Sequence, residues 1–107
     1  MKTGLLLVLA VFLSIGLNAQ IKNPKVEKVK ISGNCGMCKE TIEKTGTIEN
    51  ASQVVWDKDT KIATITYDEE KISLNDILKK IAKSGYSSEK YKAKKSDYNR
   101  LPICCHY

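Results

Sequence analysis

The sequence predicts an α+β fold in which two helices cover one face of an antiparallel sheet. Three observations support this prediction. Two β-rich runs, residues 52–57 and 61–67, lie on either side of a short polar turn, as in a hairpin. A capped amphipathic helix follows this hairpin, and a shorter helical stretch precedes it. An alternating run before the first helix begins the order β-α-β-β-α-β.

The first strand and the first helix are the most weakly marked elements. Residues 26–31 alternate in part, with Val29 and Ile31 on one face, and predict a strand. Residues 32–34 form a turn cluster. Helical propensity then runs from about residue 37 to residue 46, with a thin apolar face made of Met37, Ile42 and Thr45.

The hairpin and the second helix are more clearly marked. In the second hairpin strand Ala63, Ile65 and Tyr67 point to one face. Ser73 caps the helix that follows, and Asp76 completes a start that resembles a capping box. The helix carries one apolar stripe, formed by Leu74, Ile77, Leu78, Ile81 and Ala82.

The end of this helix completes the predicted plan. Gly85 is a typical helix stop, and residues 86–93 predict a weaker last strand. The elements together follow the split βαβ, ferredoxin-like sandwich, with a four-stranded antiparallel sheet and both helices on one face. We therefore assign residues 1–19 to a signal peptide, 20–25 to a leader, 26–91 to the domain and 92–107 to a tail.

The first 19 residues have the layout of a secretory signal peptide. A short basic start precedes the apolar run Gly4–Leu17, and the small residue Ala19 stands before Gln20. The apolar run is shorter than the roughly 20 residues that a transmembrane anchor needs. We expect a mature chain in the periplasm or outside the cell, with membrane contact only through the signal peptide.

The charge pattern of the chain indicates which classes of partner it can bind. The formal net charge is +6, and scattered lysines alternate with acidic residues, with almost no arginine and few aromatic side chains among them. This pattern is typical of a solvated surface and argues against nucleic-acid binding. An acidic docking partner is compatible with it.

A pair of cysteines provides the chemistry of the chain. Cys35 and Cys38 lie three residues apart, one in a loop and one in the first helical turn, so their thiolates can converge on one soft ion. The helix dipole favours the thiolate of Cys38, and Lys39 can add to this effect. Met37 is expected to pack inward, with a thioether ligand role as the alternative. Beyond the cysteines no general acid, base or nucleophile constellation occurs, so we expect no enzyme.

The cysteine pair and its context resemble the heavy-metal-associated domain family. The resemblance covers residues 26–90 and depends on Cys35 and Cys38, residues 42–43, the strand "IATITYD" and residues 84–86 at the end of the second helix. The family includes copper chaperones, modules of metal-pumping ATPases and periplasmic mercuric-ion carriers. The resemblance implies that Cys35 and Cys38 bind the metal and that a metal-transporting ATPase or efflux component is the partner.

The sequence departs from the family pattern in the loop that carries the cysteines, residues 32–38, which we call the metal loop. The family has Gly-Met-Thr before the first cysteine, whereas "SGN" stands at residues 32–34 and the methionine, Met37, lies between the cysteines. Thr45 also replaces an aliphatic residue on the first helix. These changes bear on the rigidity of the loop and on its metal preference.

The tail ends in a second set of possible ligands, Cys104, Cys105 and His106. It can be a disordered end with reactive thiols or can bind metal. Cys104 lies thirteen positions after Tyr91, and this stretch extends over roughly 40 Å at about 3.3 Å per residue, which is longer than a small sheet. We therefore hypothesise that Cys104 or Cys105 supplies a third sulfur, with His106 as a fourth ligand.

These observations predict an exported protein that carries or sequesters a soft metal ion and passes it on by thiolate exchange. Two sulfurs favour Cu(I), our first choice, or Hg(II), whereas three sulfurs and a histidine suit Zn(II). We expect a monomer, with a metal-bridged dimer as the alternative. Two other readings stay open, a thiol–disulfide redox protein and a small domain stapled to its tail by disulfides.

Overall fold

The computed structural model describes residues 21–107, so the predicted signal peptide lies outside the described residues. Within this part the chain forms three strands, three α-helices and a 3₁₀ turn. In chain order these are β1 (Pro24–Lys30), α1 (Gly36–Gly46), β2 (Ser52–Trp56), β3 (Ile62–Asp68), α2 (Leu74–Lys83), α3 (Lys95–Asn99) and the 3₁₀ turn (Ile103–Cys105). No helix within residues 21–107 is long and apolar enough to span a bilayer.

The sheet is antiparallel, with β3 in the centre and the order β1-β3-β2. Val29 of β1 pairs with Ala63, and Val54 of β2 pairs with Ile65. These four side chains are buried on the face that the helices cover. The predicted hairpin and the inward face of its second strand are therefore confirmed, because alternate side chains of a strand point to opposite faces.

The sheet has three strands, and the predicted fourth strand is wrong for the described residues. Beside β1 the chain makes only an isolated bridge between Ile31 and Ser88. The hydroxyl of Ser88 accepts hydrogen bonds from the amides of Lys90 (3.2 Å) and Tyr91 (3.1 Å). Serine hydroxyls that bond to nearby amides compete with a strand ladder, so the segment turns away after one bridge.

The second helix is formed as the sequence predicts. Ser73 Oγ accepts a hydrogen bond from the amide of Asp76 at 3.1 Å, and the whole predicted apolar stripe is buried. Gly85 follows the helix with φ +108°, a conformation that side chains rarely adopt. Only glycine can therefore occupy position 85, at the end of α2, without backbone strain.

The first helix buries only part of the predicted face, with Ile42 inside as expected. Its buried residues are Cys38, Ile42 and Gly46, whereas Met37 is 54% exposed and Thr45 is partly exposed. Inward packing of Met37 was therefore the wrong expectation. The reason is that Cys38 takes the inward position of the first turn, and its neighbour on a helix of 3.6 residues per turn points away from it.

The tail folds against the domain and is not a disordered end. The hydroxyl of Tyr107 donates to the carbonyl of Gly85 (2.8 Å) and accepts from the amide of Ser87 (2.9 Å). Tyr98 in turn donates to the carbonyl of Tyr107 at 2.8 Å. Cys105 is completely buried and belongs to the same hydrophobic core as the helices and the sheet. The tail therefore places its cysteines at a fixed position on the domain.

Candidate metal centre

The loop before α1 holds its two cysteines through backbone hydrogen bonds. Cys35 is the N-cap residue of the helix, and Cys38 is the third residue inside it. The amides of Asn34 and Cys35 each donate to Cys38 Sγ at 3.4 Å, and the amide of Cys38 faces the sulfur of Cys35. The two thiols thus occupy the positions of a capping box, where free helix amides seek acceptors.

A tryptophan lies beneath this loop. Trp56 is fully buried, and its indole nitrogen donates to the carbonyl of Ile31 at 2.9 Å. A Cβ atom added to Gly33 would lie 3.0 Å from the Trp56 ring and 3.2 Å from Cys38 Cβ. The loop therefore rests directly on the indole, and a side chain at residue 33 would press against the Trp56 ring.

The sulfur atoms of the loop and of the tail form one cluster. Cys35 Sγ lies 3.5 Å from Cys38 Sγ, 3.4 Å from Cys105 Sγ and 3.3 Å from Cys104 Sγ. The sulfurs of Cys35, Cys38 and Cys105 all lie within 4.8 Å of one another. All four cysteines are free thiols. The structure therefore places the predicted tail sulfur beside the predicted pair.

The four thiols differ in their access to solvent. Cys38 and Cys105 are completely buried, Cys35 is partly exposed and Cys104 is exposed. Cys104 Sγ also lies 3.7 Å from the exposed Met37 Sδ. The cluster thus has an inner side that is closed to water and an outer side that faces it.

His106 lies outside this group in the structure. Its Nε2 is 3.0 Å from the carbonyl oxygen of Leu101, and its ring packs 4.8 Å from that of Tyr98. Its own carbonyl accepts a hydrogen bond from Asn34 Nδ2 at 2.7 Å. The main chain of His106 therefore ties the tail to the metal loop, while its ring bonds within the tail.

Comparison with known proteins concerns the domain without its tail. The sequence profile of the heavy-metal-associated domain matches residues 28–87, more than half of the chain. The chain belongs to the heavy-metal-associated domain family. Among solved structures, one described as "CopZ metallochaperone" superimposes with a TM-score of 0.56 at 20% identity, over 60% of this chain and 98% of that one. No curated protein matches by sequence.

The chain is thus a heavy-metal-associated domain with a folded addition. The family profile ends at residue 87, before the tail that carries Cys104 and Cys105. The likeness to the solved structure supports the fold alone, and the sheet differs from the predicted four strands as described above. The tail cysteines are therefore a feature of this chain that family membership does not explain.

The four thiols around the loop before α1 differ in their pKa values. The amide of Cys38, together with the neighbouring thiols of Cys104, Cys105 and Cys38, lowers the pKa of Cys35 to about 6. The hydrogen bond to Cys35 raises the pKa of Cys104, and burial raises that of Cys105. Cys35 therefore carries thiolate character at neutral pH, as expected for a thiol that receives hydrogen bonds at a helix N-terminus.

Two features of the site were not recognised in the sequence. Lys39, expected to support a thiolate, instead bonds Glu43 Oε2 at 2.6 Å and the carbonyl of Trp56 at 2.7 Å. The role of Trp56 under the loop was also missed. The available signal was its spacing of two residues from Val54, which places both side chains on the inward face of β2.

Proposed function

We propose that the protein is an exported carrier of a soft metal ion, Cu(I) in the first place. The thiolates of Cys35, Cys38 and Cys105 hold the ion. The observation that supports this proposal is the convergence of these three sulfurs within 4.8 Å on a heavy-metal-associated fold. The predicted role of Cys35 and Cys38 is kept, and the third sulfur is assigned to Cys105.

The spacing of the sulfurs is compatible with a three-coordinate ion. For metal–sulfur bonds of about 2.3 Å, a planar trigonal site has sulfur–sulfur distances of about 4 Å. The observed distances from Cys35 to Cys38 and Cys105 are 3.5 and 3.4 Å. An ion with these three ligands would therefore move the sulfur of Cys35 away from the other two by about 0.5 Å.

The donor set favours Cu(I) over Zn(II). Thiolates are soft ligands, and a low-coordinate site made only of sulfur suits Cu(I) or Hg(II). Structural zinc requires four ligands, and the ring of His106 lies outside the group, so Zn(II) needs Cys104 as its fourth donor. Cu(I) is complete with the three thiols that already converge.

The carrier works by ligand exchange and catalyses no reaction. The partly exposed Cys35 is the member of the three-sulfur group that an incoming thiol can approach from solvent. A partner such as a metal-transporting ATPase or efflux component would replace the ligands in steps. The signal-peptide pattern at residues 1–19 supports the proposal that this exchange takes place in the periplasm or outside the cell. We propose that the protein acts as a monomer.

Cu(I) competition under anaerobic conditions tests the proposal. The reduced protein is titrated against bathocuproine disulfonate, a chromogenic Cu(I) chelator, beside the double variant Cys35→Ser/Cys38→Ser. We expect one Cu(I) per chain and a loss of at least about a hundredfold in affinity in the double variant, or about 2.8 kcal/mol. Unchanged affinity in that variant would remove the basis of the proposal. Ile103→Ser is the matched control, because Ile103 is exposed and carries no sulfur.

A thiol–disulfide redox function is the second candidate. The pKa of about 6 at Cys35, beside three further thiols, is the observation that favours it. With an excess of a small thiol as the reductant, catalytic reduction of a small disulfide substrate by the metal-free protein, at many turnovers per chain, would support this candidate. The carrier proposal predicts stoichiometric reaction at most.

A further inference from the structure

The cluster contains two overlapping sulfur triangles. The inner triangle joins Cys35, Cys38 and Cys105. The outer triangle joins Cys35, Cys104 and Cys105, with sulfur–sulfur distances of 3.3, 3.4 and 3.9 Å. The sulfurs of Cys35 and Cys105 belong to both. An ion that moves from the inner to the outer triangle therefore exchanges only one ligand, Cys38 for Cys104.

The two triangles also differ in their environment. The inner one is closed by two completely buried thiols, Cys38 and Cys105. The outer one ends at the exposed Cys104, whose sulfur lies 3.7 Å from the thioether of Met37, itself 54% exposed. Thioether sulfur is a soft ligand for Cu(I). An ion in the outer triangle would thus face solvent with a weak additional donor beside it.

The buried position of the inner ligands makes direct release difficult. The thiols of a partner cannot reach Cys38 or Cys105 unless the tail leaves the domain. The tail is fixed, however, by the hydrogen bond from Asn34 to the carbonyl of His106 and by those of Tyr107 to Gly85 and Ser87. A path that leaves the tail in place has to pass through the exposed sulfurs.

We propose that Cys104 is the exit ligand of this protein and that Met37 assists it. This inference rests on the proposed function. In the step, a bond forms between the ion and Cys104 Sγ and the bond to Cys38 Sγ breaks. The proton that leaves the Cys104 thiol is taken up by the Cys38 thiolate, and the ion keeps its oxidation state. An acceptor thiol then meets the ion at the outer face of the domain.

Transfer kinetics test this role. Cu(I)-loaded protein is mixed with excess bathocuproine disulfonate in an anaerobic stopped-flow instrument, and the rate of copper transfer is measured beside the equilibrium affinity. We expect Cys104→Ser to slow transfer about tenfold, beyond any change in affinity, and Met37→Leu to slow it by a smaller factor. Ile103→Ser, next to Cys104 and without sulfur, should transfer at the wild-type rate.

The outcomes separate this inference from the proposed function. Transfer by Cys104→Ser at the wild-type rate or faster overturns the exit role, even if the wild type binds Cu(I) tightly. Retained Cu(I) binding by Cys35→Ser/Cys38→Ser overturns the proposed function itself. The two failures are therefore seen in different variants and in different measurements.

Alkylation of the wild-type protein gives a second test that needs no substitution. When the resident ion occupies the inner triangle, iodoacetamide should modify Cys104 in the Cu(I)-loaded protein, while Cys35, Cys38 and Cys105 are protected. Peptide mass spectrometry identifies the modified thiol. Equal protection of Cys104 would show that it is a resident ligand and would overturn its role as an exit ligand.

Discussion

Replacing Gly85 by alanine should loosen the tail from the domain and destabilise the fold. Gly85 has φ +108°, and a Cβ atom there would lie 2.7 Å from Leu101 Cδ2 and 2.9 Å from the carbonyl oxygen of Asp97. Both neighbours belong to the tail, so the added methyl group has to push the tail outward or distort the end of α2. The carbonyl of Gly85 also accepts a hydrogen bond from the Tyr107 hydroxyl, which holds the end of the tail on the domain.

The size of the destabilisation follows from the backbone strain at residue 85 and from the overpacking against the tail. A side chain in left-handed backbone costs about 1–2 kcal/mol, and overpacking of a filled site costs about 1–3 kcal/mol. The free energy of unfolding should therefore fall by roughly 2–5 kcal/mol in Gly85→Ala. In a domain of this size each kcal/mol corresponds to about 4–8 °C in Tm, so Tm should fall by at least about 8 °C.

Thermal unfolding of the reduced, metal-free protein measures this effect, with Gly36→Ala as the matched control. Gly36 begins α1, and a Cβ atom there would meet nothing within 4 Å, so its replacement should be neutral or stabilising by about 0.5–1 kcal/mol. Gly85→Ala should also increase the rate at which Cys105 is alkylated. Equal Tm values for the two variants, with Cys105 still protected, would refute the reasoning that the tail packs on Gly85.

Three further predictions concern the thiols and one buried phenol. Cys105→Ser should weaken Cu(I) binding by about tenfold, since a hard hydroxyl replaces one of three soft thiolate donors, and chelator competition measures the loss. An unchanged affinity would show that Cys105 is not a ligand and that only Cys35 and Cys38 bind the ion. Alkylation of Cys35 in the metal-free protein should follow a titration with a midpoint at pH of about 6. Because folding lowers the pKa of Cys35, the contribution of its thiolate to stability is complete above the unfolded pKa and is lost as pH falls through about 6. Alkylation of Cys35 with a midpoint near pH 8.5 would contradict the lowered pKa. Burial, with the hydrogen bond to Glu27, raises the pKa of Tyr67 to about 12, and burial also raises the pKa of Tyr86, so absorbance at 295 nm should show two tyrosines that ionise late. The contribution of Tyr67 to stability is complete below pH of about 10 and is lost as pH rises through about 12. Tyr67→Phe should remove the step near pH 12 and leave the later ionisation of Tyr86.

The sequence predicted those parts of the fold that a single period describes. The stripe of α2 and the inward face of β3 follow from periods of 3.6 and 2, and both are buried as expected. The fourth strand was lost because the hydroxyls of Ser87 and Ser88 capture nearby amides. That competition is local hydrogen bonding, which an alternating pattern does not reveal.

The candidate site was predicted in its main pair and left open in its tail. Cys35 and Cys38 stand out by their spacing and by the element that follows them. The choice between Cys104 and Cys105 could not be made, because adjacent residues point in different directions according to the turn that holds them. Here the 3₁₀ turn Ile103–Cys105 directs Cys105 into the core and Cys104 toward solvent beside Met37.

The coordination number of the loaded protein tests the central claim most directly. X-ray absorption spectroscopy of the anaerobic Cu(I) complex, for the wild type and for Cys105→Ser, counts the sulfur atoms bound to copper. The structure predicts three sulfurs in the wild type, no nitrogen ligand, and two sulfurs in Cys105→Ser. Two sulfurs in both proteins, or a histidine nitrogen in either, would contradict a site that the buried tail cysteine completes.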